Sequence, residues 1–355
     1  MLKQKALLIL VLALSALLLL PLTACQSTAA TSATTAATAA ETTAAATTTT
    51  EATTGFPVEL VDATGTKVTL AAAPQSIIST TVWAGEMLLD LVDASRITAL
   101  SAWGDDPVLS MTADKAAAVK NRVDISSPES IVALNPDLVI IDTFSNPDGS
   151  LSKTLTEAGI PVVQMESPTN FTMIADAILT LAQATGEVER GQAIVAEMNQ
   201  TLETVASKVA SVPADERVTV MFYEDYYDPT GNSANMLAAY GVGSPFHAIA
   251  EAAGTVNVCN VANYSPVAKE KVVGEWQPQL LVIPSSTFDE NFKAVEDSGE
   301  MLKSAMMLDP ILQTLPAVQN GKILAIPDKY RSSTSHYMAV AVELLAQAAY
   351  PDLVQ

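Results

Sequence analysis

The chain has 355 residues, with 39 Asp and Glu against 18 Lys and Arg and a formal net charge of −21. That balance disfavours a nucleic-acid partner and any broad adhesion to anionic lipid. Two cysteines, Cys25 and Cys259, exclude a cysteine metal cluster.

Lys3 and Lys5 precede a leucine-rich core that ends Leu22-Thr23-Ala24-Cys25. This resembles a bacterial lipoprotein signal, which implies cleavage before Cys25 and a lipid on its thiol, with residues 1–24 removed. Only Cys259 would then remain, so no intramolecular disulfide is available. Residues 25–54 are almost pure Ala and Thr, too poor in bulky apolar groups to offset ordering entropy. They read as a tether whose ends would lie about 30 Å apart as a flexible coil. The remainder is long enough for two cores, divided as an N-terminal α/β lobe over 55–170, an interlobe helical segment over 171–212 and a C-terminal α/β lobe over 213–355.

Val58 to Leu70 predicts a hairpin turning at Asp62-Ala63-Thr64-Gly65. Ile77-Ile78 predicts a short strand running into the polar loop Ser79-Thr80-Thr81. Met87, Leu88, Leu91 and Val92 follow at helical spacing, and Ile97 to Leu100 form the next strand. Gly159 to Met165 repeats that pattern. From Phe171 the apolar period is three to four residues as far as Val209, broken once at Gly186, so a short helix feeds a long one that stops before Val212-Pro213. Arg217 to Tyr223 reads as a strand in which Val218, Val220 and Phe222 alternate with Thr219 and Met221. Further on come a helix from Phe246 to Ala253 closed by Gly254, a strand from Lys322 to Ile326, and a last helix packing through Met338, Val342, Leu345 and Ala349.

Ser127 to Asp142, SPESIVALNPDLVIID, compresses a helix, its stop and a strand into one stretch. Ser127 can cap a helix opened by Pro128 and Glu129; Asn135-Pro136 ends it, because proline lacks an amide hydrogen and crowds the preceding turn. Leu138 to Ile141 is an unalternating apolar run suited to a parallel strand covered on both faces. Lys269 to Pro284, KEKVVGEWQPQLLVIP, is a looser copy, and a recurrence at domain spacing indicates two similar lobes. Glu129 stands seven positions before Pro136, whereas Glu270 stands eight before Pro278 and Lys271 takes the strict equivalent.

VDATGTKVTL, SPESIVALNPDLVI, GIPVV, EAAGTVNV and NGKILAIPD, in that order and spacing between Phe56 and Leu353, resemble the solute-binding lipoproteins of ABC importers for iron-siderophores, haem and cobalamin. The resemblance implies an α/β fold of two Rossmann-like lobes joined by a long rigid helix, with a ligand cleft between them. It implies a binding protein and not an enzyme, with no resident cofactor, lipid-anchored as a monomer at the extracytoplasmic face of the cell membrane. An ABC permease and its ATPase would be the partners. One Glu on each lobe would dock into arginine pockets of the permease, which carries over to Glu129 and, with its one-residue slip, to Glu270. Glu129 also suits the first turn of any helix, where a carboxylate contributes up to about 1 kcal/mol.

Ligands of such sheets sit at the carboxyl ends of the strands, so the loops there supply the candidate ligand-binding residues Trp83, Trp103, Phe144, Tyr223, Tyr226, Tyr227, Ser285, Arg331, His336 and Tyr337. Their rings could stack on a macrocycle or catechol face, and Arg331 could pair with an anionic chelate. His247 and His336 are the only histidines, too few for the three-histidine site of free-ion importers; a metal that arrives chelated needs few protein ligands. The expected cargo is a ferric siderophore or similar chelate, with cobalamin or haem as alternatives. Gly241-Val242-Gly243-Ser244 is neither a nucleophile elbow nor a Walker loop, which leaves a surface chelatase or hydrolase as the rival class.

Overall fold

A computed structural model describes residues 55–225, 236–291 and 293–355. Val58–Val61 and Lys67–Leu70 pair antiparallel, and the Asp62 side chain closes their turn by accepting the amides of Thr64 and Thr66, both at 2.9 Å. The first lobe is built on a five-stranded parallel sheet in the spatial order Asn121–Val123, Ile97–Ser101, Ile77–Ser79, Leu138–Asp142, Val162–Met165. The order reverses at the Ile77–Ser79 strand, so the loops after it and after Leu138–Asp142 flank the switch point of a doubly wound sheet. Leu138–Asp142 is buried at every position, as an apolar strand covered on both faces should be.

The second lobe has a four-stranded parallel sheet ordered Val256–Asn257, Thr219–Phe222, Leu280–Pro284, Ile323–Ile326. An antiparallel sheet of Tyr264–Ala268, Met236–Tyr240 and Glu224–Asp225 and a hairpin of Ser286–Phe288 with Ala294–Glu296 accompany it. The alternation expected through Val220, Met221 and Phe222 has no counterpart in exposure, because this strand is central. Val220 and Phe222 face one core while Met221 and Tyr223 are buried in another.

The helix Phe171–Thr185 ends at Gly186, whose φ of 79° caps it, and Val188–Val209 follows. The long helix is pinned at both ends by glycine contacts. A Cβ at Gly191 would come within 2.4 Å of the Ala182 Cβ, on the first-lobe side, and one at Gly254 of the second lobe within 2.6 Å of Val209. The C-terminal helix Met338–Ala349 packs along it. Among the described residues no helix is long and apolar enough to cross a membrane.

The helix Pro128–Ala133 forms where expected, but Ser127 does not cap it through its side chain. Its ψ of 75° turns the hydroxyl away from the first turn, and the Ser130 hydroxyl instead donates to the Ser127 carbonyl at 2.7 Å. In the second copy a single turn, Lys269–Lys271, passes into a π-helical turn, Val272–Trp276, closed by the Gln277 amide on the Val272 carbonyl at 2.8 Å. The extra residue that separates Glu270 from Glu129 is absorbed there.

Candidate functional site

Two cavities open beside the hairpin of the second lobe. One, of about 360 Å³, is walled by Ser286, Thr287 and Phe288, with Glu224, Asp297, Met301, Leu302, Asp328 and Arg331 around it. The other, of about 640 Å³, lies between Ala102 to Val108 of the first lobe, including Trp103, Asp105 and Asp106, and Asn291, Lys293 and Ala294 of the second. The hairpin is their common wall. At its tip the Asp289 carboxylate accepts the amides of Asn291 and Lys293, and at its base Ser285 Oγ donates to Glu296 at 2.7 Å.

Arg331 forms the floor of the smaller cavity. It ends the short helix Asp328–Arg331, and its guanidinium lies 2.5 Å from Glu224 Oε1, 2.6 Å from Asp328 Oδ1 and 4.7 Å from the centre of the Phe246 ring. Phe246 in turn stacks on Phe222 at 4.9 Å. Burial works against the Arg331 charge, but the carboxylates of Glu224 and Asp328 outweigh it and raise its pKa. Among the described residues its Nε has no hydrogen-bond partner. The Tyr240 hydroxyl donates to Glu224 at 2.5 Å, and burial together with that carboxylate pushes its pKa up. Ser286 Oγ donates to Asp328, which ties the hairpin to the charged floor.

The other candidates divide by place. Trp103 is 52 % exposed and lines the larger cavity. Phe144 is 86 % exposed and lines neither. Tyr223 and Ser285 are buried, each one residue before a side chain that lines the smaller cavity, Glu224 and Ser286. Trp83 is also buried, at the switch point, where its indole N–H donates to Asp142 at 3.0 Å; Ser167 Oγ donates to the same carboxylate. His336 and Tyr337 face the helix Val82–Leu91, the imidazole 3.1 Å from Asp90 and the phenol donating to it at 2.8 Å. Burial opposes the Asp90 charge, yet the bonds from His336, Lys115 and Tyr337 hold its pKa down at about 2. Glu129 and Glu270 are both exposed. Tyr226, Tyr227 and Cys25 lie outside the described residues.

Sequence reasoning passed over Glu86. It is 1 % exposed on the same helix as Asp90 and accepts bonds from Ser110, Met111, Ser333 and Ser335. Burial raises its pKa in spite of those four donors. The available signal was two acids four residues apart in an otherwise apolar helix, VWAGEMLLDLV, where a charge has no business unless it is paired. Chemically the arrangement is suited to holding a molecule: rigid charged floors, exposed rings and apolar groups at the rim, and among the described residues no cluster of His, Cys, Asp and Glu able to hold a metal ion.

Residues 77–330 match the family model described as periplasmic binding protein. The chain is 25 % identical over 231 residues to a cobalamin-binding protein of Halobacterium salinarum, covering 64 % of this chain and 58 % of that protein, so it spans little more than half of that relative's length. It is 22 % identical over 307 residues to an uncharacterized ABC transporter substrate-binding lipoprotein, YvrC, of Bacillus subtilis, covering 85 % of this chain and 88 % of the other. Among solved structures it is similar to an ABC-type Fe³⁺-hydroxamate transport system protein of Saccharomonospora viridis, with a TM-score of 0.61, 22 % identity, and 83 % and 99 % of the two chains covered. With two lobes, two parallel sheets and a helix along both, the chain belongs to the periplasmic binding protein family, a family of binding proteins and not of enzymes.

Proposed function

We propose that this protein is held by a lipid on Cys25 at the extracytoplasmic face of the cell membrane, captures a metal chelate in the cleft beside the Ser286–Glu296 hairpin and delivers it to an ABC permease. The observation that carries this reading is the pair of cavities with one shared wall. The larger is bounded by both lobes, and both volumes fall within the range of small-molecule sites. Trp103, Arg331 and the rim side chains Phe288 and Met301 are the proposed contacts; Tyr226 and Tyr227, three and four positions after Tyr223, are proposed from the sequence alone. Glu129 and Glu270 are the proposed permease contacts, exposed on comparable elements of the two lobes.

A ferric siderophore is the leading cargo. Cobalamin is the second reading, favoured by the name of the archaeal relatives, and haem shares the same role. Calorimetric titration of the purified protein with ferric hydroxamate and catecholate complexes, cobalamin and haem distinguishes them. Saturable one-to-one binding of one class supports the reading, and turnover of a bound ligand would replace it with an enzymatic one.

A further inference from the structure

We infer that Glu86 is a positioning residue for ligand capture: its carboxylate bridges the two lobes at the base of the cleft and sets their spacing. The two oxygens are divided between the lobes. Oε1 accepts Ser110 Oγ at 2.9 Å and the Met111 amide at 2.7 Å, both from the first lobe. Oε2 accepts Ser333 Oγ at 2.7 Å and Ser335 Oγ at 2.5 Å, both from the second. An ionised carboxylate, which only accepts, matches four converging donors. Taken from water at 1 % exposure, it is costly to leave short of partners, so separating the lobes would strip Oε2 while Oε1 stayed paired.

The clasp is reinforced where it stands. One turn along the same helix, Asp90 holds His336 and Tyr337 of the second lobe, and the Lys329 amide donates to the Val108 carbonyl at 3.2 Å across the same seam. It also has a route to the cleft. Ser333 is two residues beyond Arg331, Arg331 is paired with Asp328, and Asp328 takes the hydroxyl of Ser286, where the hairpin that walls both cavities begins. A shift of the Ser333–Ser335 segment therefore moves the floor of one cavity and the wall of the other. Among the described residues the Ser333 and Ser335 hydroxyls bond to Glu86 and to each other, and Ser333 Oγ also accepts the Ser335 amide at 3.4 Å, so their removal cuts the Glu86 crossing without touching either sheet.

The test is the lobe-to-lobe distance in the chain carrying Cys25→Ser, measured by double electron–electron resonance between nitroxides on Lys153→Cys and Glu300→Cys, two exposed side chains on opposite lobes; Cys259, 2 % exposed, stays unlabelled. The Ser333→Ala/Ser335→Ala variant is expected to move the distance distribution longer and broaden it while circular dichroism stays native. Native distances in that variant overturn the inference, as does a lowered Tm with the distances unmoved, the mark of a merely structural pair. Should the double variant not fold, Ser335→Ala alone is expected to give a smaller shift in the same direction, and none would overturn it. The consequence for capture rests on the proposed function: with ferrioxamine B and aquocobalamin as probes, the double variant should bind about tenfold more weakly than the parent. If the distances shift but the parent binds neither probe, the clasp stands and the ligand reading fails.

Discussion

Residues 127–142 and 269–284 carry one plan, a helix, a left-handed residue, a proline and a buried parallel strand, but the helix of the second begins one position earlier relative to its proline, at Lys269 against Pro128. Asn135 (φ 48°) and Gln277 (φ 41°) make the same left-handed exit before Pro136 and Pro278, and Leu138–Asp142 and Leu280–Pro284 enter their sheets alike. The surplus residue goes into the π-helical turn at Val272–Trp276, on the side where Gly274 and Glu275 are exposed. Strand register is held by burial on two faces, where a slip would displace every core contact, whereas an exposed helical turn can swell at small cost. Function inherits the difference. In an uninterrupted helix one residue turns a position by about 100°; we propose that the π-helical turn takes up only part of that rotation, so that Glu270 and Glu129 would not meet a permease identically.

The comparison breaks most visibly in the core. Ile131, fully buried against Val139, Ile141 and Leu155, anchors the first copy. Ile131→Ala should cost about 3 kcal/mol and Val272→Ala, one methylene smaller in the second copy, about 2 kcal/mol, read by denaturant unfolding. Docking sharpens it next: Glu129→Ala should slow transport into permease-bearing proteoliposomes about tenfold, the effect of roughly 1.4 kcal/mol, with ligand affinity unchanged. Glu270→Ala should slow it less, and equal losses would mean the slip does not matter to the permease.

Smaller effects probe the exits. Glycine removes the penalty of a left-handed side chain, so Gln277→Gly should stabilise by about 1 kcal/mol. Asn135→Gly should gain only a few tenths, since asparagine tolerates that region better. The smallest concerns the pair Lys269–Asp309, 2.7 Å apart, which holds the start of the second copy. Burial works against the Asp309 charge, but the bond from Lys269 and two backbone amides outweigh it and lower the pKa from 3.8. A carboxylate lowered in the folded state contributes stability above pH 3.8 that is lost as pH falls through the lowered value. Because desolvation of a pair only 12 % and 16 % exposed offsets much of its attraction, Asp309→Asn should cost under about 1 kcal/mol at pH 7, a gap that closes as the pH falls toward 2.

Much of this was visible in the residues themselves. Apolar period, Gly186 and Pro213 marked the two connecting helices to within a few positions, and Asn135-Pro136 marked the first exit, because these signals are local. The alternation read through Val218 to Phe222 holds as two faces, but that both faces are buried depends on neighbours brought from 256 and 280. The site was less legible for the same reason. Arg331 could be singled out as a cation in a loop, but its capture by Glu224, 107 residues earlier in the chain, could not. Nor could the meeting of Glu86 with Ser335, 249 residues away.

Capture of a chelate between the lobes is most directly tested by fluorescence. Of the three tryptophans, Trp83 and Trp276 are buried, while Trp103 is 52 % exposed at the larger cavity. Titration with a ferric hydroxamate complex, cobalamin and haem should give saturable quenching with one of them, and Trp103→Phe should abolish most of that signal. Silence across all three with the protein folded, or quenching that survives Trp103→Phe in full, would contradict the account.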